Sequence, residues 1–261
     1  MQEDPNLFTQ YHYADLKRIY SVGEPLNPEI YYWGKKVFGC EIYDNWFQSE
    51  TGSIMIANRP DQQIKPGSMG TPLSYIQADV RDEHMQPVDA KKQGQLCLKK
   101  GWASMFRNYI NKEELYKAKF SGDTYITGDL AYQDEDGYFW YVSRADDVIN
   151  TAGHLVGPFE VESALLEIEE IADVAVIGAP DPTLYEKIVA FICLKDGYKW
   201  TPALELKCRI NVANKVSTSA TPQEYRIVEQ IPKNKSGKIL RRVLKANYEG
   251  RDPGDLSTME D

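Results

Sequence analysis

The chain changes its grammar at Arg144, and that change restricts its fold more than any other feature. From Ile64 to Ser143, short runs are cut by turn signals: "KPGSMGTP", "GQLCLKK", "TYITGDLAY" and "LAYQDEDGYFWYVSR". The last reads as a hairpin turned at Asp136–Gly137, because Asp-Gly accepts the backbone that tight hairpins need. After Asp147, apolar runs alternate with helical stretches. "GPFEVESALLEIEE" reads as an amphipathic helix with Pro158 early and acids in its first turn. "VAVIG" and "KIVAFICLK" read as buried strands, "PALELKCRINVANKV" as a helix, "EYRIVEQ" as a strand and "GKILRRVLKANY" as a last helix. Upstream, Asn27, Pro28 and Glu29 open a helix that should end near Gly39, and the strand "CEIYDNWF" follows. The expected architecture is therefore α+β: a β-rich portion over residues 1–145, then a small α/β domain over 146–261.

At 261 residues, with 42% apolar and 11% aromatic side chains, the chain can build real cores, and global disorder is not expected. The longest apolar run, Ile188 to Leu194, is too short to span a bilayer, and the first residues show no secretory pattern. Cys40, Cys97, Cys193 and Cys208 are scattered, as in a cytoplasmic protein with reduced thiols, and His12, His84 and His154 lack metal-ligand spacing.

One basic stretch, "PKNKSGKILRR" (Pro232 to Arg242), stands out in a chain of net charge −9. It can be a solvated basic turn, a nucleic-acid patch or an anion site. The acidic chain and the absence of interleaved aromatics argue against nucleic acid. Gly237–Lys238 is not a phosphate-binding P-loop, since Pro232 and Ile239 stand where Gly and Ser/Thr would be required. A Ser-Gly turn that delivers one ammonium to an anion stays open.

Four further stretches carry candidate chemistry: "SVGEPLNP" (Ser21 to Pro28), "YDNWFQSETGS" (Tyr43 to Ser53), "TGDLA" (Thr127 to Ala131) and "SRADDVINTAGHLVGPFEVE" (Ser143 to Glu162). Singly, each has an ordinary structural explanation: a surface acid, a turn former, or a local ion pair within Arg144–Asp147. Together with "PKNKSGKILRRVLKA", and in this order, they resemble the adenylate-forming superfamily of acyl-CoA synthetases, luciferases and peptide-synthetase adenylation domains. More narrowly they resemble the C-terminal half of the AMP-forming acetyl-CoA synthetase family, from about Asp15 to the end.

The resemblance implies a ligase that joins acetate or propionate to CoA through an acyl-adenylate, converting ATP to AMP and pyrophosphate. It implies that residues 1–145 are the C-terminal portion of a large AMP-binding domain, and that 146–261 are a small mobile domain. It assigns Gly23, Glu24 and Pro25 to the adenine, and Asp44, Asn45, Trp46, Phe47, Gln48 and Ser49 to the base and α-phosphate. Asp129 and Arg144 fall to the ribose, and Tyr141 to the nucleotide side. Glu50 would meet Mg²⁺, which prefers carboxylate and water oxygens. Val22 and Phe47 would floor a short acyl pocket, Asp146 would be the hinge, and Gly153 would line the CoA tunnel, where a side chain would block it. Lys238 would bridge the attacking carboxylate and the phosphate as a positioned charge. Lys233, Lys235, Arg241 and Arg242 read as screening or steering charges.

Two positions depart from the family. Leu155 stands where an Arg reaching the phosphates is usual, and no Arg stands near Ala213 for the CoA nucleotide, with Lys215 as a substitute to be tested. The family's Gly/Ser/Thr-rich phosphate loop is not among the 261 residues. The expectation is a chain inactive alone, with an exposed apolar face on residues 1–145, and the missing N-terminal part of the same enzyme as its partner. A lysine acetyltransferase and deacetylase acting on Lys238 are further expected partners; membranes and nucleic acids are not. Two rival readings are a catalytically dead interaction module and a medium-chain acyl-CoA ligase, which the aromatic at Phe47 disfavours.

Overall fold

The computed structural model describes residues 8, 10–235, 237–257 and 259. The chain divides into two compact units, Met1–Ala145 and Asp146–Asp261.

The first unit opens with β1 (Ile19–Ser21), α1 (Pro28–Phe38) and β2 (Ile42–Trp46); β1 and β2 are parallel, with Ser21 opposite Asp44. The caps expected from the sequence set α1. The Asn27 side chain accepts from Glu29 N at 2.8 Å, Pro28 takes the first position, and Gly39 ends the helix at φ 69°. β3 (Ile56–Ala57) and β4 (Thr71–Pro72) continue this sheet antiparallel. A second, antiparallel sheet contains β5 (Ala78–Arg81), β6 (Gly94–Lys99), β7 (Phe120–Ser121), β8 (Thr124–Gln133) and β9 (Phe139–Arg144), with α2 (Glu113–Ala118) ahead of β7. Trp46 and Ile56 from the first sheet, with Met55 just before β3, share one core with Leu96, Leu98, Tyr125 and Phe139 from the second. Burying each such side chain contributes about 1.5–3 kcal/mol. Large apolar side chains also remain exposed on this unit, among them Tyr20, Val22, Tyr32 and Phe47.

The second unit contains β10 (Ile149–Thr151), β11 (His154–Val156), α3 (Pro158–Leu166), β12 (Ile171–Asp181), β13 (Tyr185–Leu194), α4 (Pro202–Lys215), β14 (Glu224–Ile227) and α5 (Arg241–Glu249). β12 and β13 form an antiparallel hairpin, and β14 pairs parallel with β13. Side chains alternate across this sheet. Val174, Val176, Ile188, Ala190 and Ile192 join the core containing Val161 and Leu165 of α3 and Leu204, Cys208 and Val212 of α4. Ala175, Ile177, Val189 and Phe191 join the core containing Leu244 of α5. Helices thus cover both faces, which is why these strands read as nearly continuous apolar runs.

Two helix bounds differ from the sequence reading. α3 stops at Leu166 instead of continuing to Glu170, because the chain turns to bury Ile168 and Ile171, with Ile168 N bonded to Leu165 O at 3.1 Å. α5 begins at Arg241, not Gly237. Leu240 N bonds to Pro232 O at 2.8 Å and Lys233 bridges Ile239, so residues 232–240 form a loop closed on itself. Among the described residues no helix is long and apolar enough to cross a membrane. The four cysteines are free; burial pushes the Cys97 and Cys208 thiols up to about 12, so they stay protonated and inert.

Candidate functional site

The "TGD" stretch lies inside β8 as a bulge. Gln95 pairs with Leu130 and Cys97 with Ile126, so Thr127, Gly128 and Asp129 face the single residue Leu96. Thr127 Oγ1 donates to Leu96 O at 2.8 Å and accepts from Asp129 N at 3.0 Å, and Gly128 takes φ 79°. The bulge re-aims Asp129 inward. Its carboxylate is 3% exposed and receives Trp46 Nε1 at 3.0 Å, Gln48 Nε2 at 2.8 Å and Arg144 Nη1 at 2.9 Å. Arg144 stands opposite Asp129 on β9. Arg144 thus forms a cross-strand ion pair with Asp129 at 2.9 Å. Tyr141, half-buried on β9, packs against the core beneath.

Gln48 is committed within the protein. Its Nε2 also donates to Thr127 O at 3.2 Å, and Tyr125 OH donates to its Oε1 at 2.9 Å. After β2 the chain turns sharply over Gln48–Gly52: Thr51 N and Gly52 N both bond to Gln48 O, and Thr51 Oγ1 accepts from Gln48 N at 2.9 Å. A Cβ at Gly52 would lie 2.4 Å from Ser104 O. Ser49 is exposed and Glu50 half-buried on this turn. Tyr109 OH donates to Glu50 Oε1 at 2.7 Å, and Phe106 N bonds to Glu50 O at 2.9 Å. Among the described residues no three His, Cys, Asp or Glu side chains gather as a cation cage. A lone, part-exposed carboxylate suits an ion that keeps most of its water and takes phosphate oxygens, which is the habit of Mg²⁺.

The turn between β1 and α1 sits at the C-terminal ends of two parallel strands, the usual place for ligands in open α/β sheets. Val22 and Gly23 are exposed there, Gly23 at φ 101°, while Glu24 and Pro25 are half-buried. Asn45 Nδ2 ties the turn to β2 through Ser21 O at 2.8 Å. Asp44 is 5% exposed and accepts from Leu26 N at 3.2 Å and Asn45 N at 3.0 Å. Burial outweighs these two bonds and pushes its carboxyl up to about 7. Phe47 leaves β2 at the same end as Val22 leaves β1, and both are exposed, at 44% and 53%.

In the second unit, Asp146 is exposed at the first position. Ala152 (φ 50°) and Gly153 (φ 82°) form the two-residue turn between β10 and β11. A Cβ at Gly153 would meet nothing within 4 Å, so within this unit the turn's backbone, not crowding, explains the glycine. Leu155 is 63% exposed. Lys215 pairs with Glu167 at 3.1 Å, which engages the ammonium proposed to replace the missing Arg.

Lys238 is exposed on the 232–240 loop, next to Gly237 at φ 83°; Ser236 lies outside the described residues. Asn234 holds the loop from both sides: its N bonds to Lys238 O at 2.9 Å, and its Oδ1 accepts from Lys238 N at 2.9 Å. Three of the four neighbouring cations are engaged within the protein. Lys233 pairs with Asp173 at 2.6 Å, Arg241 with buried Glu162 at 2.6 Å, and Arg242 donates to the carbonyls of Pro253 and Asp255. Lys235 stays exposed. Sequence reasoning missed Tyr109, Tyr125 and Glu162, whose partners lie 59, 77 and 79 residues away.

Residues 1–110 match the family described as AMP-binding enzyme, and residues 160–238 match the AMP-binding enzyme C-terminal domain. The chain is 47% identical over 253 residues to the acetyl-coenzyme A synthetase of Bacillus subtilis (strain 168), covering 97% of this chain and 44% of that protein. The Chlorobaculum tepidum acetyl-coenzyme A synthetase is 40% identical over 97% of this chain and 40% of its own length. The chain thus spans less than half the length of these relatives. An anthranilate CoA ligase solved with anthranoyl-AMP superposes with TM-score 0.84 at 31% identity, over 94% of this chain and 46% of that one. A benzoate CoA ligase from Burkholderia xenovorans LB400 gives 0.80 at 29%, over 88% and 45%. With the AMP-binding enzyme family and its C-terminal domain both matched in order, the chain belongs to the AMP-binding, adenylate-forming enzymes.

Proposed function

We propose that this chain supplies the later part of an AMP-forming acetate–CoA ligase, with residues 1–145 as the C-terminal portion of its large domain and 146–261 as its mobile small domain. In the first half-reaction a carboxylate oxygen of acetate (or propionate) attacks the α-phosphorus of ATP and pyrophosphate leaves. In the second, the CoA thiolate attacks the acetyl carbon and AMP leaves. The observation that carries the reading is the network joining Trp46, Gln48, Asp129 and Arg144, from chain segments some eighty to a hundred residues apart. It builds a fixed, charged floor beside the Glu50 turn. Similarity to acetyl-coenzyme A synthetases over nearly the whole chain supports acetate as substrate.

Arg144 and Asp129 present the ribose side, Asp44 and the Gly23–Pro25 turn the base, and Val22 and Phe47 limit the acyl chain. Mg²⁺ bound near Glu50 would neutralise phosphate charge. Lys238 holds the carboxylate against the phosphate in the first step, then withdraws as the small domain turns about Asp146 and Gly153 takes the CoA arm. Acetylating Lys238 removes its charge and stops the first step, and the ATP and CoA requirement fits a cytoplasmic enzyme.

The test joins this chain to the upstream part of the Bacillus subtilis relative and follows acetate-dependent exchange of labelled pyrophosphate into ATP. Exchange should appear, disappear in Lys238→Ala, and leave thioester formation from supplied acetyl-AMP intact. Equal loss of both half-reactions in Lys238→Ala would refute the role of the lysine. Exchange indifferent to acetate would refute the substrate.

A further inference from the structure

β12 is the edge strand of its sheet; among the described residues its only strand partner is β13. An edge strand exposes backbone groups that need partners. At Val176 an ion pair supplies them. Val176 N donates to Glu162 Oε1 at 2.8 Å, and Arg241 Nε donates to Val176 O at 3.3 Å. Arg241 Nη2 then spans both oxygens of Glu162, each at 2.6 Å. Both side chains are removed from water, at 13% and 5% exposure.

A buried pair of this kind is a poor way to gain stability, because well-packed apolar residues usually do as well. What it fixes is geometry: a planar fork held at three points has one orientation. Arg241 is the first residue of α5 and lies three residues beyond Lys238. The other foot of the loop is pinned to the same strand, where Lys233 meets Asp173. Between the feet the loop is closed by Leu240 N on Pro232 O and by the two Asn234–Lys238 bonds. The loop is therefore short and closed, with both feet tied to β12 and Lys238 exposed between them.

We propose that Glu162 and Arg241 are positioning residues for Lys238: their ion pair fastens the downstream foot of the lysine loop to β12 and so sets where the ammonium is presented. Its consequence for catalysis rests on the role given to Lys238 above. Removing one partner strands a buried charge and endangers the fold, so the informative variant is the double replacement Glu162→Leu/Arg241→Met, which removes both charges at similar volume. In this chain it should keep a cooperative thermal transition while amide exchange at Lys238 and Leu240 accelerates roughly tenfold and exchange in β13 stays unchanged. Unchanged exchange at Lys238 and Leu240 overturns the proposal. Should the double variant not fold, Arg241→Lys, which keeps the charge but loses the fork, is judged by the same amides.

In the joined enzyme the same variant should lower the adenylation kcat roughly tenfold, leave KM for ATP within about twofold, and spare thioester formation from acetyl-AMP. Equal loss in both half-reactions would mark a merely structural pair and overturn positioning. Lys238→Ala separates the two readings. Normal adenylation in that variant would remove the proposed role of the lysine, while the exchange result still decides whether the pair fixes the loop.

Discussion

Replacing Asp44 by Asn should stabilise the first unit at neutral and alkaline pH and do little in acid. Asp44 is buried and held only by the Leu26 and Asn45 amides; no cation pairs with it among the described residues. Burial raises its carboxyl from 3.8 to about 7. The sign follows from linkage. Below pH 3.8 the group is protonated folded and unfolded, and no penalty exists. Between 3.8 and about 7 the unfolded chain releases the proton that the folded chain keeps, so stability falls as pH rises. Above about 7 the loss is complete. At 1.36 kcal/mol per pH unit this amounts to about 4 kcal/mol. Asn keeps an acceptor and removes the charge but adds an amide needing a partner, so a gain of roughly 2–4 kcal/mol at pH 8 is expected, with none near pH 4. Urea unfolding followed by tryptophan fluorescence reads this well, since Trp33, Trp46, Trp102 and Trp140 all lie in the first unit and only Trp200 in the second. A difference between variant and wild type that does not change with pH, or a variant less stable at pH 8, would refute the reasoning.

Gly70→Ala should cost more than about 3 kcal/mol, because its Cβ would fall 2.0 Å from the Ala57 carbonyl carbon at φ 92°; a melt shifted by only a degree or two would contradict this. Gly153→Ala should cost only about 1 kcal/mol in melting of the second unit, since its φ of 82° is strained but no atom lies within 4 Å. If thioester formation in the joined enzyme then falls far more than that melt suggests, the CoA-tunnel assignment gains support; proportionate loss removes it. Phe47→Gly should leave stability nearly unchanged, the ring being 44% exposed, and should raise activity on butyrate relative to acetate roughly tenfold. An unchanged butyrate-to-acetate ratio would reject the pocket-floor role.

The sequence makes local signals legible where one residue type answers one local need. Asn27 and Gly39 bound α1 at the positions their chemistry requires, and Asp136–Gly137 marks the β8–β9 turn. The apolar runs of β12 and β13 read as buried strands because helices cover both of their faces. Short pairings such as β1, β5 and β7 carry too few residues to show a period, and α2, with no capping side chain and no buried residue, gives no signal either. The motifs located Trp46, Gln48, Asp129 and Arg144, and the fold brings these four into one network. What they could not show is that Gln48 is spent on Thr127, Asp129 and Tyr125, or that Tyr109 holds Glu50. Those are long-range hydrogen bonds, which no spacing along the chain encodes.

The basic stretch "PKNKSGKILRR" shows the same limit from the side of charge. Along the chain its cations look alike, and treating them as one patch is the natural reading. Folding separates them by partner. Lys233 and Arg241 meet carboxylates on or against one edge strand, and Arg242 is taken up by backbone carbonyls of the tail. Lys235 and Lys238 remain exposed, with no ion pair among the described residues. A paired cation contributes little field beyond its partner, whereas an exposed one keeps its charge for an incoming anion. Of the four cations that surround Lys238 in sequence, two, Lys233 and Arg241, hold its loop. On the proposed role of Lys238, selectivity for one anion comes from where the lysine is held, not from how many cations accompany it.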